Sequence, residues 1–204
     1  MGYPIPHLAE GELHVIETEV ERSRFIAWVG HTPDTAHFEA LLARARATYP
    51  DASHHCSAFV AGPPGEQTAI GFSDDGEPGG TAGRPMFQVL DGAGIGQIGC
   101  VVTRYFGGTK LGTGGLVRAY SQAVQKALES LPVKTFTERH PVRLHLDFAG
   151  EAEARHWLDS QAIPVVAADY DGGGVTLTVG WPSGTSIDIA PLEARLKGRV
   201  SLGE

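Results

Sequence analysis

The chain has 204 residues, a formal net charge of −8, 42% hydrophobic residues and 20% charged residues. That composition supplies ordinary cores for one large or two small domains, and without long single-sign runs it excludes global disorder. No apolar run nears the ~20 residues of a membrane span, the start MGYPIPHLAEGELHV lacks the pattern of a secretory signal, and the acidic total argues against coating nucleic acid by bulk charge.

Leu13 to Glu19 reads as a strand, and Phe25 to Gly30 as a second after a turn near Glu21–Ser23. Thr32-Pro33-Asp34 has the residues of a helix start, with Thr32 as the capping hydroxyl. Phe38, Leu41, Leu42, Ala45 and Tyr49 form one stripe of that helix, which Pro50 stops. Cys56 to Ala61 and Thr68 to Phe72 read as paired strands around the Gly62-Pro63-Pro64-Gly65 turn. Thr81 to Leu90 fits a helix, started by Thr81 or Gly80. Ile98 to Phe106 is apolar enough for a central strand. Gly107 to Gly115 is a glycine loop, and the stripe from Leu116 to Leu131 marks a long helix ended by Pro132.

Residues 132–140 read as a linker between a first domain, 1–133, and a second, 140–204. In the second, Val142, Leu144, Leu146 and Phe148 alternate with Arg143, His145 and Asp147, the pattern of a half-buried strand. Gly150 to Ser160 reads as a helix. Asp171-Gly172-Gly173-Gly174 joins Ile163–Tyr170 to Val175–Trp181 as a hairpin, a short helix ends near Gly198, and Arg199–Leu202 closes the domain. The order β-α-β-β-α-β suggests a ferredoxin-like sandwich, and the chain as a whole an α+β protein.

Two stretches carry candidate chemistry. In SDDGEPGGTAGRPM, the acids Asp74, Asp75 and Glu77 form a turn whose oxygens accept backbone N–H groups, hold a hard cation, or contact a substrate as general acid or base. His54 or His55 is a candidate pocket histidine, while His54-His55-Cys56 lacks the spacing of a zinc site, so no metal is expected. Cys56 and Cys100 both lie in apolar segments and read as buried, reduced thiols.

In RYFGGTKLGTGGLVRAY, Gly107, Gly108, Gly112, Gly114 and Gly115 lie between a strand and a helix, bracketed by Arg104, Lys110 and Arg118. Glycine permits positive φ and close approach, and a helix start favours an anion, so an anion seat is one reading and a tight packed loop the other. From Gly79 to Leu128 the only acid is Asp91, against Arg84, Arg104, Lys110, Arg118 and Lys126. The run from Gly94 to Gly99 spells a dinucleotide fingerprint but leads into a strand rather than a helix, and Gly107-Gly108-Thr109-Lys110 is not a Walker loop.

DDGEPGGTAGRPM and VVTRYFGGTKLGTGGLVRAY, with SRFIAWVGHT and DASHHCSAFVAG before them, resemble the blocks of the YigZ/Impact family over residues 14–131. The resemblance implies a first domain like domain 2 of a small-subunit ribosomal protein and a second like the ferredoxin-like modules of elongation factor G. Both likenesses point toward RNA or the ribosome. Eukaryotic members carry a further N-terminal module and regulate an amino-acid-starvation kinase. No such module is expected before residue 14, which sets kinase regulation aside.

The expectation is a cytoplasmic RNA- or ribosome-linked binding or regulatory protein, with Arg84, Arg104, Lys110 and Arg118 at phosphates and Tyr105 or Phe106 against bases. Two other readings stand beside it. One is a hydrolase-like enzyme on a small anionic or peptide-like substrate, using Asp74, Asp75 and Glu77. The other is a protein partner held by the sheet face of Arg143, His145 and Asp147. The sequence leaves the cofactor unknown. All the site readings require the acidic turn and the glycine loop to meet in space.

Overall fold

The computed structural model describes residues 2–203, and the chain divides into two compact units, Tyr3–Phe136 and the segment from Thr137 onward. The first unit runs β1 Tyr3–Pro6, β2 His14–Val20, β3 Ser23–His31, α1 Thr35–Thr48, β4 His54–Val60, β5 Ile70–Ser73, α2 Gly83–Ala93, β6 Ile98–Tyr105, α3 Gly112–Glu129 and β7 Val133–Phe136. Its main sheet has the order β2-β3-β6-β4-β5, with every neighbour antiparallel. β6 lies at the centre, where both its faces are covered, and this is why its apolar run is nearly continuous.

The period-2 geometry of the strands divides the core into two layers. Phe25, Ala27 and Val29 of β3 and Cys100 and Val102 of β6 pack with Met86, Leu90, Ala119 and Tyr120 of α2 and α3. Ile26, Trp28 and Val101 turn the other way and pack with Phe38, Leu41 and Ala45 of α1.

Three local expectations are corrected. The helix after Thr32 is capped by Asp34, whose side chain accepts from the His37 N–H; the Thr32 hydroxyl is buried without a partner. Residues 133–136 are not linker: they form β7, which pairs antiparallel with β1 in a two-stranded sheet of its own. The short segment Val133–Phe136 has no strong alternation of its own, and only its partner 130 residues earlier makes it a strand. The glycine loop is shorter than expected, because α3 already begins at Gly112.

The second unit runs β8 Arg139–Leu146, α4 Glu151–Ser160, β9 Val165–Tyr170, β10 Val175–Pro182, α5 Ala190–Arg195 and β11 Val200–Leu202. Its four strands form an antiparallel sheet in the order β11-β8-β10-β9. Val142, Leu144, Leu146, Leu177 and Val179 bury one face under Trp157, Leu158 and Leu192. Asp147 is not part of the opposite face: it follows β8, caps a short 3-10 turn at Gly150 and pairs with Arg199. Among the described residues no helix is long and apolar enough to cross a membrane.

Phe25 is fully buried and meets Tyr120 edge-on, with ring centroids 5.2 Å apart. Phe25→Ala is expected to cost about 3–5 kcal/mol in urea unfolding, as for other buried aromatics removed from close-packed cores.

Candidate functional site

The acidic turn follows β5 and precedes α2, and each of its carboxylates has a distinct partner. Asp74 reaches forward: one oxygen accepts from Ala82 N–H at 3.1 Å and Gly83 N–H at 2.8 Å, the other from Gly80 N–H at 2.8 Å. It therefore caps α2 from nine residues away, the role that the sequence suggested for Thr81 or Gly80. Burial pushes its carboxyl up, but the three N–H donors together outweigh burial and hold it below the usual carboxylate range.

Asp75 faces back toward β4. It accepts from His55 N–H at 2.8 Å and pairs with Arg46 at 3.2 Å. Its own φ is 42°, so the chain turns sharply there, with Gly76 completing the turn at φ 87°.

Glu77 is the buried member. One of its oxygens, Oε1, accepts from Arg104 Nη1 at 2.6 Å and from the Tyr120 hydroxyl at 2.7 Å. Arg104 is only 5% exposed, and its other terminal nitrogen reaches Ser23 Oγ at 3.3 Å. Its Nε is buried without a partner, and the guanidinium carbon lies 5.6 Å from both the Phe25 and Phe106 ring centroids. The expected phosphate contact by Arg104 thus needs correction. Its side chain falls on the α2/α3 face of β6, two residues beyond Val102, and its charge is matched internally.

Strand alternation separates the two histidines as expected. His54 donates through Nδ1 to the Asp75 carbonyl at 2.8 Å, and its Nε2 lies 3.7 Å from Glu77 Oε2. His55 points to the opposite layer. Its Nε2 donates to the Tyr49 carbonyl at 3.0 Å, so Nδ1 accepts from Thr103 Oγ1 at 2.9 Å, and burial lowers its pKa. Burial raises both Cys56 and Cys100 to about 12, so neither is a thiolate at neutral pH. Among the described residues no three of His, Cys, Asp and Glu gather to hold a metal ion.

The acidic turn and the glycine loop meet. Glu77 and Pro78 from the first, Arg104 and Phe106 from the end of β6, and Lys110, Leu111, Gly112, Thr113 and Leu116 from the second line one cavity of about 350 Å³. α3 enters it with no side-chain cap on its first turn, leaving backbone N–H groups without helical partners and the positive end of the helix toward solvent. Phe106 is 50% exposed, whereas Tyr105 is half-buried against Tyr49.

A neighbouring cavity of about 520 Å³ shares Lys110 and Leu111 and adds Gly115 and Arg118. Gly114 is exposed on the same first turn. Asp74, Asp75, His54, His55 and Arg84 line neither cavity. Gly108 and Gly112 adopt positive φ, while Gly107 is required for packing, since a Cβ there would overlap the Arg22 backbone. Tyr120 and Ser23 end and open two of the quoted blocks and Arg46 lies outside them, but the sequence assigned a site role to none of the three. Their roles follow from strand and helix pairing across 29 to 81 residues.

Fold and site define a two-unit α+β protein with a glycine loop at an open helix start, set against a buried acid–arginine pair. The chain belongs to the Impact family: the Impact N-terminal domain matches residues 21–128. It is 47% identical over 134 residues to an IMPACT family member of Haemophilus influenzae, covering 66% of this chain and 65% of that one. It is 50% identical over 119 residues to IMPACT family member YigZ of Escherichia coli, covering 58% of each. The matches thus span about three fifths of the relatives' length. A solved structure described as a hypothetical protein aligns with TM-score 0.68 at 37% identity, covering 98% of this chain and 96% of that one.

Two outcomes test this account of the glycine loop and the acidic turn. Gly107→Ala is expected to cost about 1–3 kcal/mol or to prevent folding, as for other over-packed positions, read by urea unfolding. Asp74 titrates lower when folded, so the unfolded chain takes up the proton first; its contribution is present above about pH 4 and is lost as pH falls through the folded value. Unfolding of the wild type and of Asp74→Asn should therefore converge on acidification, and a gap independent of pH would refute the assignment.

Proposed function

We propose that this protein is an RNA-linked binding and regulatory module whose first unit holds single-stranded RNA across the start of α3. The observation that carries the reading is the shared cavity: an exposed aromatic ring, Phe106, a lysine and an uncapped helix start line one opening. Helix starts favour phosphate, and exposed aromatic rings favour unpaired bases. Lys110 joins this cavity to the one beside Arg118, so a strand lying along both meets two cations in succession. The total charge of −8 favours a short, local contact over extended coating.

The strand order of the second unit, with its β-α-β-β-α-β succession, supports reading it as a ferredoxin-like module. The five-stranded sheet with α1 on one face and α2 and α3 on the other supports the likeness of the first to a ribosomal-protein domain. The sheet face bearing Arg143 and His145 is the proposed seat of a protein partner, and a cytoplasmic location belongs to the same reading. The hydrolase alternative has less support, because the oxygens of Asp74 and Asp75 are engaged by backbone N–H groups and Arg46.

Fluorescence anisotropy with labelled RNA hexamers tests the proposal. Affinity should fall with salt at a slope of about −0.7 per phosphate contacted, so about −1.4 for two contacts. Lys110→Ala should lower that slope by one such step, and Phe106→Ala should weaken binding by about 1–3 kcal/mol at any salt. No binding in low salt, or binding indifferent to salt, would refute it.

A further inference from the structure

The hairpin of β2 and β3 leaves one edge of the main sheet open. Glu21 and Arg22 form its two-residue turn, both at positive φ, 48° and 65°. That is a type I′ turn, and the residues flanking it, Val20 and Ser23, close it as a hydrogen-bonded pair. Alternation along an antiparallel ladder then fixes the rest of β2. Val20, Thr18, Ile16 and His14 direct their backbone groups to β3, while Glu19, Glu17 and Val15 direct theirs outward. β2 is the end strand of its sheet, and among the described residues β3 supplies its only backbone hydrogen bonds. Natural sheet edges are commonly blunted by shortness, proline or a bulge. β5 has four residues and β11 three, and the pairing of β9 is interrupted by a bulge. β2 has seven residues and neither proline nor bulge.

The same three residues also expose their side chains. Ile16 and Val20 pack inward with the α2/α3 layer, whereas Val15 is 47% exposed, with Glu17 and Glu19 exposed on the same face. Glu17 shares its charge with Arg24, and Glu19 has no ion pair among the described residues. Residues 3–21 hold five glutamates and no lysine or arginine. We propose that β2 takes up an extended protein segment as an added antiparallel strand, one whose alternate residues are in turn basic, basic and apolar. The basic residues fall opposite Glu19 and Glu17, and the apolar one opposite Val15. Main-chain bonds supply the affinity, and the alternate side chains choose the partner. Pairing β2 with β2 of a second copy about Glu17 would set glutamate against glutamate, which disfavours that occupant. Val15, Glu17 and Glu19 line neither cavity at the start of α3, so the proposal does not rest on the RNA reading.

The probe is a labelled peptide, Thr-Lys-Thr-Lys-Thr-Val-Thr, capped at both ends and titrated with the full chain in fluorescence anisotropy. In the antiparallel register its two lysines and its valine face the outward backbone groups of β2, and the threonines turn theirs away. N-methylation of the lysines and valine is therefore expected to abolish binding, and N-methylation of the threonines to preserve it. Glu19→Lys should weaken binding by about two- to thirtyfold, one attractive cross-strand pair being lost and one repulsive pair gained. A peptide with glutamate in place of its first lysine should restore binding to that variant.

No binding of the lysine peptide, or N-methylation that acts alike at both sets of residues, overturns strand addition. A loss in Glu19→Lys that the swapped peptide does not restore overturns the register. A chain that sediments as a dimer, and as a monomer once Glu17→Pro removes one outward N–H at an edge position that tolerates proline, gives the edge to a second copy and overturns the proposal as well.

Discussion

The first unit depends on an ion pair buried between Arg104 and Glu77. Side chains this deeply enclosed lose most of their hydration, and a buried pair is tolerated only when its geometry and surrounding hydrogen bonds are good. Here the 2.6 Å contact is joined by Tyr120, which ties α3 to the same oxygen, and by Ser23 at the start of β3. Three elements and one loop thus converge on two charges. Replacing the pair with apolar residues need not weaken the fold, but it would release the acidic turn from the central strand. The pair is better understood as a device for position than as a source of net stability.

The two helix starts beside this pair are finished differently. At α2 the loose N–H groups are met by Asp74, and the backbone packs so closely that a Cβ on Gly83 would lie 2.6 Å from Ser73. That end is sealed. At α3 the first turn is Gly112-Thr113-Gly114-Gly115, with Leu111 before it offering no capping oxygen. A run of glycine there is costly to helix stability, and its return is bare backbone that a ligand can approach. Within one unit the chain therefore uses acid to close one helix dipole and leaves the other open.

Much of the fold was legible because it rests on periodicity. The alternation in β2 and β8, the stripes in α1 and α3, and the Asp171–Gly174 hairpin are local signals that survive into the structure. The errors fall where the local signal is ambiguous or absent. Asp34 and Thr32 both suit a cap, and only backbone geometry chooses between them. β7 was invisible because pairing with β1, not its own composition, makes it a strand. Asp147 continues the alternation of β8 on paper, but the chain has already turned.

The sequence by itself determined the types of elements, their order, the presence of two units, the crowding of three acids and the gathering of glycine before a helix. These follow from propensity and period, which act over a few residues. Only the tertiary structure decided what each acid does, that Arg104 lies inside while Phe106 lies outside, and that the acidic turn and glycine loop share a wall. Those outcomes depend on strand order and on which face of β6 a side chain takes. Contacts between residues 27 to 81 positions apart in the chain set them, and no local pattern encodes such contacts.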